Sequence, residues 1–352
     1  MVSPRRSPSR RRLAAALLVG SGVAFVSAGC AIELAAVAPS PSPSYVSDFE
    51  APAPTEFAPL RGTSVEPGSL EGASLSAKID NHPDARPQVG LDTADVVFEE
   101  LVEGGMTRYV GVWHSDIPEV LGPVRSIRPM DPDIVSPFGG IIAYSGGQER
   151  FVALMQQTGV YNAIHGQPDT ASTFYRTDDK RAPHNVLVKA REVASEHTDL
   201  APPAQQFAFA RDAASATATR HGEPTASLSY AFSPQVSGSW TWDAAAETFA
   251  RAQSGAPDED AAGDQLEATN VVVLRVAVTI DQDIPKTELV GSGEAWVSSG
   301  GATVHGTWSK PDATSPVRLV DDHGAVVRLA PGTTWFELVP TEGSVEFAPP
   351  AG

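Results

Sequence analysis

Cysteine is nearly missing from this chain of 352 residues, which has one, Cys30. A single thiol cannot form a disulfide within the chain, so the folded part must be stabilised by burial of apolar side chains. Positive charge is also scarce, with 25 Lys and Arg against 43 Asp and Glu. Because proteins bind nucleic acid through clustered Lys and Arg, we expect no nucleic-acid partner.

Several catalytic signatures are missing as well. The chain has no Gly-x-Ser-x-Gly elbow, no Walker loop and no dinucleotide fingerprint after a strand. The apolar run Leu13–Val26 is shorter than the roughly 20 residues of a comfortable transmembrane helix. These absences predict a protein without a cofactor. They leave catalysis open but favour a protein that is not an enzyme.

The first 29 residues have the order of an export signal. Five arginines precede Leu13–Val26, and the small residues Ser27, Ala28 and Gly29 lead into Cys30. This order resembles a bacterial lipobox. We therefore expect residues 1–29 to be a signal peptide, and Cys30 to be lipidated with diacylglycerol and palmitate on the extracytoplasmic side of the cell membrane. A buried structural thiol and a retained apolar anchor are the alternatives, and Sec or twin-arginine export stays open.

Composition divides the rest of the chain into a tether and two globular segments. Residues 30–72 are rich in Pro, Ala and Ser, which predicts a disordered tether. Strand patterns that alternate with helical ones predict an N-terminal α/β layer domain over residues 73–200. After a connector at 201–225, short strands with close turns predict a β-rich meander or small barrel-like domain over 226–345. The expected fold class is α+β.

The clearest local prediction is a β-hairpin around Gly104 and Gly105. Both glycines can adopt positive φ, so a two-residue loop would place Glu103 opposite Met106 and Leu101 opposite Arg108. In that register Glu99, Glu103 and Arg108 share a face that is otherwise apolar. Charged side chains on such a face need partners, so these three are candidate binding residues.

A proline-stiffened loop at residues 122–131 supplies the other candidates. Its guanidinium groups, Arg125 and Arg128, suit carboxylate or phosphate ligands. They could instead neutralise Glu99, Glu103 or Asp131 within the fold, and both interpretations stay open. The remaining candidate binding residues are the members of this loop and of a strand entrance: Arg125, Arg128, Asp131, His184 and Asn185.

Two further sites are weighed against simpler structural roles. His184 could act as a general base or bind a metal, although a lone histidine is usually a hydrogen-bonded structural residue. Asp80, Asn81 and His82 could also ligate a metal, but such residues more often form turns. The sequence-based prediction is therefore that the protein has no metal site.

Several motifs in fixed order point to a known family. Ala85–Asp95 leads into Glu99–Arg108, followed by Gly122–Ser126 and Ala182–Asn185, and then by Trp308–Lys310, Thr314–Arg318, Asp322–Gly324 and Pro331–Trp335. Over residues 73–345 the chain resembles the YerB-like bacterial lipoproteins, a family of unknown function with N- and C-terminal modules. The resemblance implies a two-domain envelope lipoprotein and no particular reaction.

Three functions are compatible with these features. The first is a membrane-anchored lipoprotein that binds a cell-wall component or an envelope protein through the charged residues of its N-terminal domain. The second is an envelope hydrolase acting on peptidoglycan or a related polymer, which requires His184, Glu99 and Arg125 to converge. The third is a structural scaffold, in which every charged side chain of that face is paired internally.

Overall fold

The structure is a computed structural model that describes residues 55–351. Strand accounts for 41% and helix for 12%, so the predicted β-rich architecture is confirmed in this general form. The finer division into an α/β layer domain and a β-rich domain stays a prediction. The predicted signal peptide, Cys30 and the first part of the predicted tether lie outside the described residues. Residues 55–72, predicted to belong to the disordered tether, instead contain two short strands and bury Ala58 and Leu60.

The first half of the described chain contains nine short strands and three helices. Its elements are β1 (Glu56–Phe57), β2 (Ser64–Val65), β3 (Leu75–Asp80), β4 (Val96–Leu101), β5 (Thr107–Trp113), α1 (Asp131–Val135), β6 (Ile141–Tyr144), α2 (Glu149–Gln156), β7 (Tyr161–Ile164), β8 (Phe174–Arg176), β9 (Val186–Val188) and α3 (Ala190–Ser195). Helix α2 lies where apolar residues recur at helical spacing, and it buries Phe151 and Met155.

The second half is almost entirely strand. Its elements are α4 (Thr217–His221), β10 (Glu223–Pro224), β11 (Ser227–Ala231), β12 (Ser237–Asp243), β13 (Thr248–Gln253), β14 (Ala256–Pro257), β15 (Glu267–Ala268), β16 (Asn270–Asp281), β17 (Ile284–Glu288), β18 (Gly291–Ser299), β19 (Ala302–Lys310), β20 (Arg318–Asp321), β21 (Thr334–Pro340) and β22 (Ser344–Ala348).

One large sheet contains strands from both halves of the chain. Its order is β10-β19-β18-β16-β21-β4-β5-β3-β6-β7, with β17 attached to β16 and β20 to β19. The halves meet where β21 pairs with β4 in parallel, with Phe336 opposite Phe98. The strands of residues 226–345 are thus divided between this sheet and a six-stranded one, instead of forming a self-contained meander or barrel.

The large sheet is covered on both faces. The six-stranded sheet, β14-β13-β12-β11-β22 with β15, packs on one face, where the rings of Trp240 and Trp335 lie 5.2 Å apart. Helices α1 and α2 contribute to the apolar core on the other face, where Phe98 stacks on Phe336 at 4.7 Å. Strands buried on both faces read as apolar runs, so any charged residue within them needs an internal partner.

The hairpin of β4 and β5 forms, but its predicted register is wrong by one residue. Leu101 pairs with Thr107 and Glu100 with Arg108, and a short 3₁₀ turn connects the strands. Gly104 and Gly105 do have positive φ, at 69° and 71°. A five-residue loop replaces the predicted two-residue one, and a slip of one residue exchanges the two faces of a strand. Glu100, not Glu99, therefore shares a face with Arg108.

Candidate functional site

The candidate site lies along the edge of the large sheet that is formed by the ends of several strands, not along one of its outermost strands. Strands β3, β4, β6 and β7 run in the same direction, and ligand sites of sheets with parallel strands commonly occur beyond such carboxyl ends. The loop at 122–131 crosses this edge. The backbone N–H of Arg125 donates to Lys78 O at 2.8 Å, and that of Ser145 donates to Arg125 O at 3.0 Å. The loop is therefore fixed between β3 and β6.

Asp80, the last residue of β3, joins two of the predicted residues. Its Oδ2 lies 2.7 Å from His184 Nδ1 and 3.1 Å from Arg125 Nε. Asp80 is buried, whereas the Arg125 side chain keeps 21% of its surface exposed. His184 and Arg125 are thus brought together, as predicted for a common site, through a carboxylate that was considered only as a metal ligand.

Arg128 is neutralised by Glu103, one of the partners proposed from the sequence. Its Nε and Nη2 contact the two carboxylate oxygens, each at 2.7 Å. Burial favours a raised pKa for Glu103, but the hydrogen bond from Arg128, a backbone hydrogen bond and the charges of Arg128 and Arg108 together outweigh it, and the pKa is lowered. The pair is a planar two-bond contact of the kind that positions a guanidinium firmly.

Arg108 completes a group of three guanidiniums, which we call the arginine cluster: Arg108, Arg125 and Arg128. Arg108 Nη1 donates to Ser126 O at 2.6 Å, and Arg128 Nη1 approaches the same oxygen at 3.4 Å. Burial, and then the positive charges of Arg128 and Arg125, lower the pKa of Arg108 to about 10. Within residues 55–351, two carboxylates, Asp80 and Glu103, form ion pairs with these three guanidiniums, so the cluster is incompletely neutralised.

A second charged group lies beneath the cluster, and we call it the lysine network: Lys78, Glu100 and Asp131. Lys78 Nζ contacts Glu100 and donates to Asp131 Oδ1 at 2.8 Å, and all three side chains are buried. Burial, assisted by the nearby charge of Asp131, raises the pKa of Glu100 to about 8. Asp131 therefore belongs to an internal network rather than to the open edge.

The raised pKa of Glu100 makes the stability of the fold depend on pH. The folded state holds this proton up to about pH 8, whereas the unfolded chain releases it near 4.5, so unfolding free energy falls between these values. We expect Glu100→Gln to remove that component. Relative to the unmodified protein, the variant should gain stability from about pH 5 to pH 9 in urea titrations.

The control for this experiment is Glu346→Gln, because Glu346 is exposed on β22. Its difference from the unmodified protein should stay constant with pH. A constant difference for Glu100→Gln as well would contradict the raised pKa.

Glu99 lies on the opposite face of the sheet in what we call the Arg251 network: Glu99, Arg251, Asp258 and Glu337. Arg251 Nη2 contacts Glu99 Oε2 at 2.5 Å, Nη1 contacts Asp258, and Nε lies 4.0 Å from Glu337 Oε1. Burial and the neighbouring Glu99 raise the pKa of Glu337 well above its ordinary range. The register difference explains why Glu99 does not join Arg108.

Asn185 also bonds away from the cluster. Its Nδ2 donates to Thr177 O at 3.0 Å, and its Oδ1 accepts from Arg176 Nη1 at 2.7 Å. These bonds connect the start of β9 to β8. Of the residues predicted from the sequence, the edge thus brings together five, namely Glu103, Arg108, Arg125, Arg128 and His184.

Sequence reasoning missed Lys78, Glu100 and Arg251. The signal for Lys78 was present, since Ser76, Lys78 and Asp80 alternate with Leu75, Ala77 and Ile79 along β3. In the sequence this pattern was indistinguishable from a solvent-exposed strand face, because only the structure places loop 122–131 and helix α1 over it.

His82 and Asp84 join His184 in one group whose possible metal-ligating atoms all lie within 4.8 Å of one another.

Comparison with known proteins gives two family matches in chain order. Residues 60–202 match the model "Protein of unknown function (DUF3048) N-terminal domain", and residues 228–336 match the corresponding C-terminal domain. "Putative lipoprotein YerB" of Bacillus subtilis strain 168 is 27% identical over 295 residues, covering 80% of this chain and 86% of that protein. The chain belongs to the YerB-like family. The resemblance inferred from the sequence motifs is thereby confirmed.

The YerB-like fold is also seen in a crystal structure. The YerB protein from Bacillus subtilis has a TM-score of 0.72 with this chain, covering 83% of this chain and 99% of that one. At 24% identity this likeness shows the fold alone. Within residues 55–351, no helix has the length and apolar character needed to cross a membrane.

Proposed function

We propose that this YerB-like protein is a lipoprotein anchored through Cys30 on the extracytoplasmic side of the cell membrane, and that its arginine cluster binds an anionic component of the cell wall. The anchor is supported by the signal-like N-terminus and by the similarity to a Bacillus relative described as a putative lipoprotein. Two acyl chains suffice for stable anchoring, and the part of the predicted tether before Glu56 would extend the folded part from the membrane.

The binding proposal rests on one observation, which is the charge balance of the cluster. Within residues 55–351, its three guanidiniums have two carboxylate partners within 4.0 Å, Asp80 and Glu103. Arg108 is held by a carbonyl oxygen instead. A carboxylate or phosphate group from a wall polymer would supply the missing negative charge.

Arg125 is the residue best placed for the contact. It is the most exposed of the three side chains, and the cluster's backbone is fixed by its bonds to β3 and β6. A pre-positioned guanidinium loses little freedom on binding, which increases the net affinity of each charge-assisted hydrogen bond.

We expect the double variant Arg125→Gln/Arg128→Gln to lose wall binding. Loss of charge-assisted hydrogen bonds worth about 1.5–3 kcal/mol each should lower affinity by about tenfold or more. The measurement is sedimentation of the full chain with purified peptidoglycan sacculi, prepared with and without their covalently attached phosphate polymers. Retention only with the polymers identifies phosphate as the ligand, whereas equal retention identifies peptidoglycan carboxylates.

A matched control removes the same charge elsewhere. Arg191 and Arg211 have exposed side chains, so Arg191→Gln/Arg211→Gln should bind sacculi as the unmodified protein does. Equal loss in both double variants would mean that net charge alone governs retention. Unchanged binding in the cluster variant, with its circular dichroism intact, would reject the proposed site.

The hydrolase alternative has weaker support. It needs Glu99, His184 and Arg125 around one cleft, and Glu99 instead contacts Arg251 on the opposite face of the sheet. The same sedimentation assay covers this alternative, because analysis of the supernatant for released fragments would report cleavage.

A further inference from the structure

A histidine–aspartate–histidine group lies beside the arginine cluster and is not needed for the function proposed above. His82 and Asp84 belong to the 3₁₀ turn that follows β3, and His184 comes just before β9. Each offers one possible ligand atom, and these atoms lie within 4.8 Å of one another. Residues more than 100 positions apart in the chain are thus brought to one point of the surface.

Asp80 fixes the histidine that comes from the distant strand. His184 Nδ1 lies 2.7 Å from Asp80 Oδ2, so in a neutral ring Nδ1 carries the proton and Nε2 keeps its lone pair. The carboxylate is buried, and it also accepts the backbone N–H of His82 at 3.1 Å. A carboxylate behind the far nitrogen of a histidine is the usual support of a metal-ligating imidazole, because it sets the tautomer and orients the ring.

The turn supplies the other two ligand atoms. The backbone N–H of Asp84 points to His82 Nδ1 at 3.1 Å, which identifies Nδ1 as the unprotonated nitrogen of that ring. This nitrogen lies 3.8 Å from Asp84 Oδ2. That lone pair accepts the Asp84 N–H in the structure, so it can bind a cation together with the Asp84 carboxylate only after the ring of His82 turns and this hydrogen bond is released.

Metal binding needs a contraction of the group and a rotation of one ring. Zinc binds histidine nitrogen at about 2.0–2.1 Å, which places two ligand atoms of a tetrahedral ion roughly 3.4 Å apart. The rings of His82 and His184 are stacked with centroids 4.2 Å apart, so one ring has to turn for both lone pairs to converge. The side chains of His82 and Asp84 are 40% and 65% exposed and therefore have room to rotate.

We propose that His82, Asp84 and His184 bind one Zn²⁺ ion, with Asp80 as the supporting carboxylate of His184. Imidazole and carboxylate ligands suit zinc, and three protein ligands leave a fourth position for water or for an oxygen atom of a ligand. The positive charge of Arg125 is countered at this point by Asp80, which lies 3.1 Å from its Nε. The bound ion would add a cationic centre beside the arginine cluster.

The test is calorimetric titration of Zn²⁺ into the purified full chain after removal of metal with EDTA. Every protein carries Cys30→Ser, so that the thiol does not compete for zinc. We expect one ion per chain. His82→Ala and His184→Ala should each weaken binding by more than about tenfold, since even a supporting carboxylate contributes about 10–100-fold to metal affinity.

Two further variants distinguish a specific zinc site from surface histidines that bind zinc adventitiously. Asp84→Asn removes an exposed ligand with little risk to folding, and it should weaken binding by about tenfold or more. His323→Ala removes an exposed histidine on another loop and should leave the affinity within about twofold. Cobalt(II) substitution should give the intense visible absorption of a four-coordinate site.

Several results would overturn the proposal. Absence of saturable binding, an affinity unaffected by the His82 and His184 substitutions, or an equal loss of affinity in His323→Ala would each do so. Sacculus binding is measured without zinc, so failure of the metal site leaves the arginine-cluster proposal standing, and the reverse also holds.

Discussion

Replacement of Arg251 by methionine is expected to lower the free energy of unfolding by about 3–5 kcal/mol. Arg251 is fully buried between the two sheets, where it contacts the carboxylates of Glu99 and Asp258. Its guanidinium also lies 5.0 Å from the ring centre of Trp335 and 5.3 Å from that of Tyr109. Methionine fills the volume but leaves two buried carboxylates without a countercharge, and that uncompensated charge is the main cost.

The measurement is the denaturation midpoint and slope in guanidinium chloride, followed by tryptophan fluorescence. Arg211→Met is the control, since the Arg211 side chain is 89% exposed, and its effect should stay within about 0.5 kcal/mol. A loss of stability below about 1 kcal/mol in Arg251→Met would mean that Arg251 compensates little of the negative charge around it.

Lys78→Met should have an effect of similar size, about 3–5 kcal/mol. The Lys78 ammonium is buried between Glu100 and Asp131 under helix α1. Burial already raises the pKa of Glu100 to about 8, so near neutral pH the carboxylate that loses its countercharge is that of Asp131. The backbone N–H of Arg128, 2.6 Å from Asp131 Oδ2, compensates only part of this charge.

The double variant Lys78→Met/Asp131→Asn tests this explanation. If uncompensated charge causes the loss, the double variant should be more stable than Lys78→Met alone, by about 1–3 kcal/mol. Additive losses in urea titrations would instead indicate that packing around the lysine stem dominates. The comparison uses one pH near neutrality, where Glu100 stays protonated in the folded state.

The sequence located most strands because their turns and apolar alternation are local signals. The hairpin of β4 and β5 was predicted from the β-rich runs Asp95–Glu103 and Met106–His114 and the two glycines between them, and the structure has strands at Val96–Leu101 and Thr107–Trp113. Its register was not, because the loop takes two further residues from the β4 side and one from the β5 side, and this unequal extension exchanges the faces without changing the composition. A single such shift moved Glu99 from the predicted site into the Arg251 network.

The internal partner of Arg128 was among those anticipated, whereas the Arg251 network was not. A sequence signal did exist for Arg251, since Phe249, Arg251 and Gln253 alternate with less buried residues along β13. An arginine at an apolar position of a strand predicts a buried acidic partner, but it does not show which residue that partner is. Its carboxylates come from β4, β21 and the loop after β14, and their meeting depends on the packing of two sheets.

The parallel pairing of β4 with β21 also constrains how the chain can fold. Phe98 and Phe336 are direct neighbours, yet nearly the whole folded chain lies between them in sequence. Until β21 arrives, one edge of β4 presents unpaired N–H and C=O groups to any other strand. Completion of the sheet therefore requires a contact between residues far apart in sequence, and such contacts form slowly. A chain truncated before Thr334 would leave β4 and β16 each with an unpaired edge inside the sheet, open to pairing with another chain.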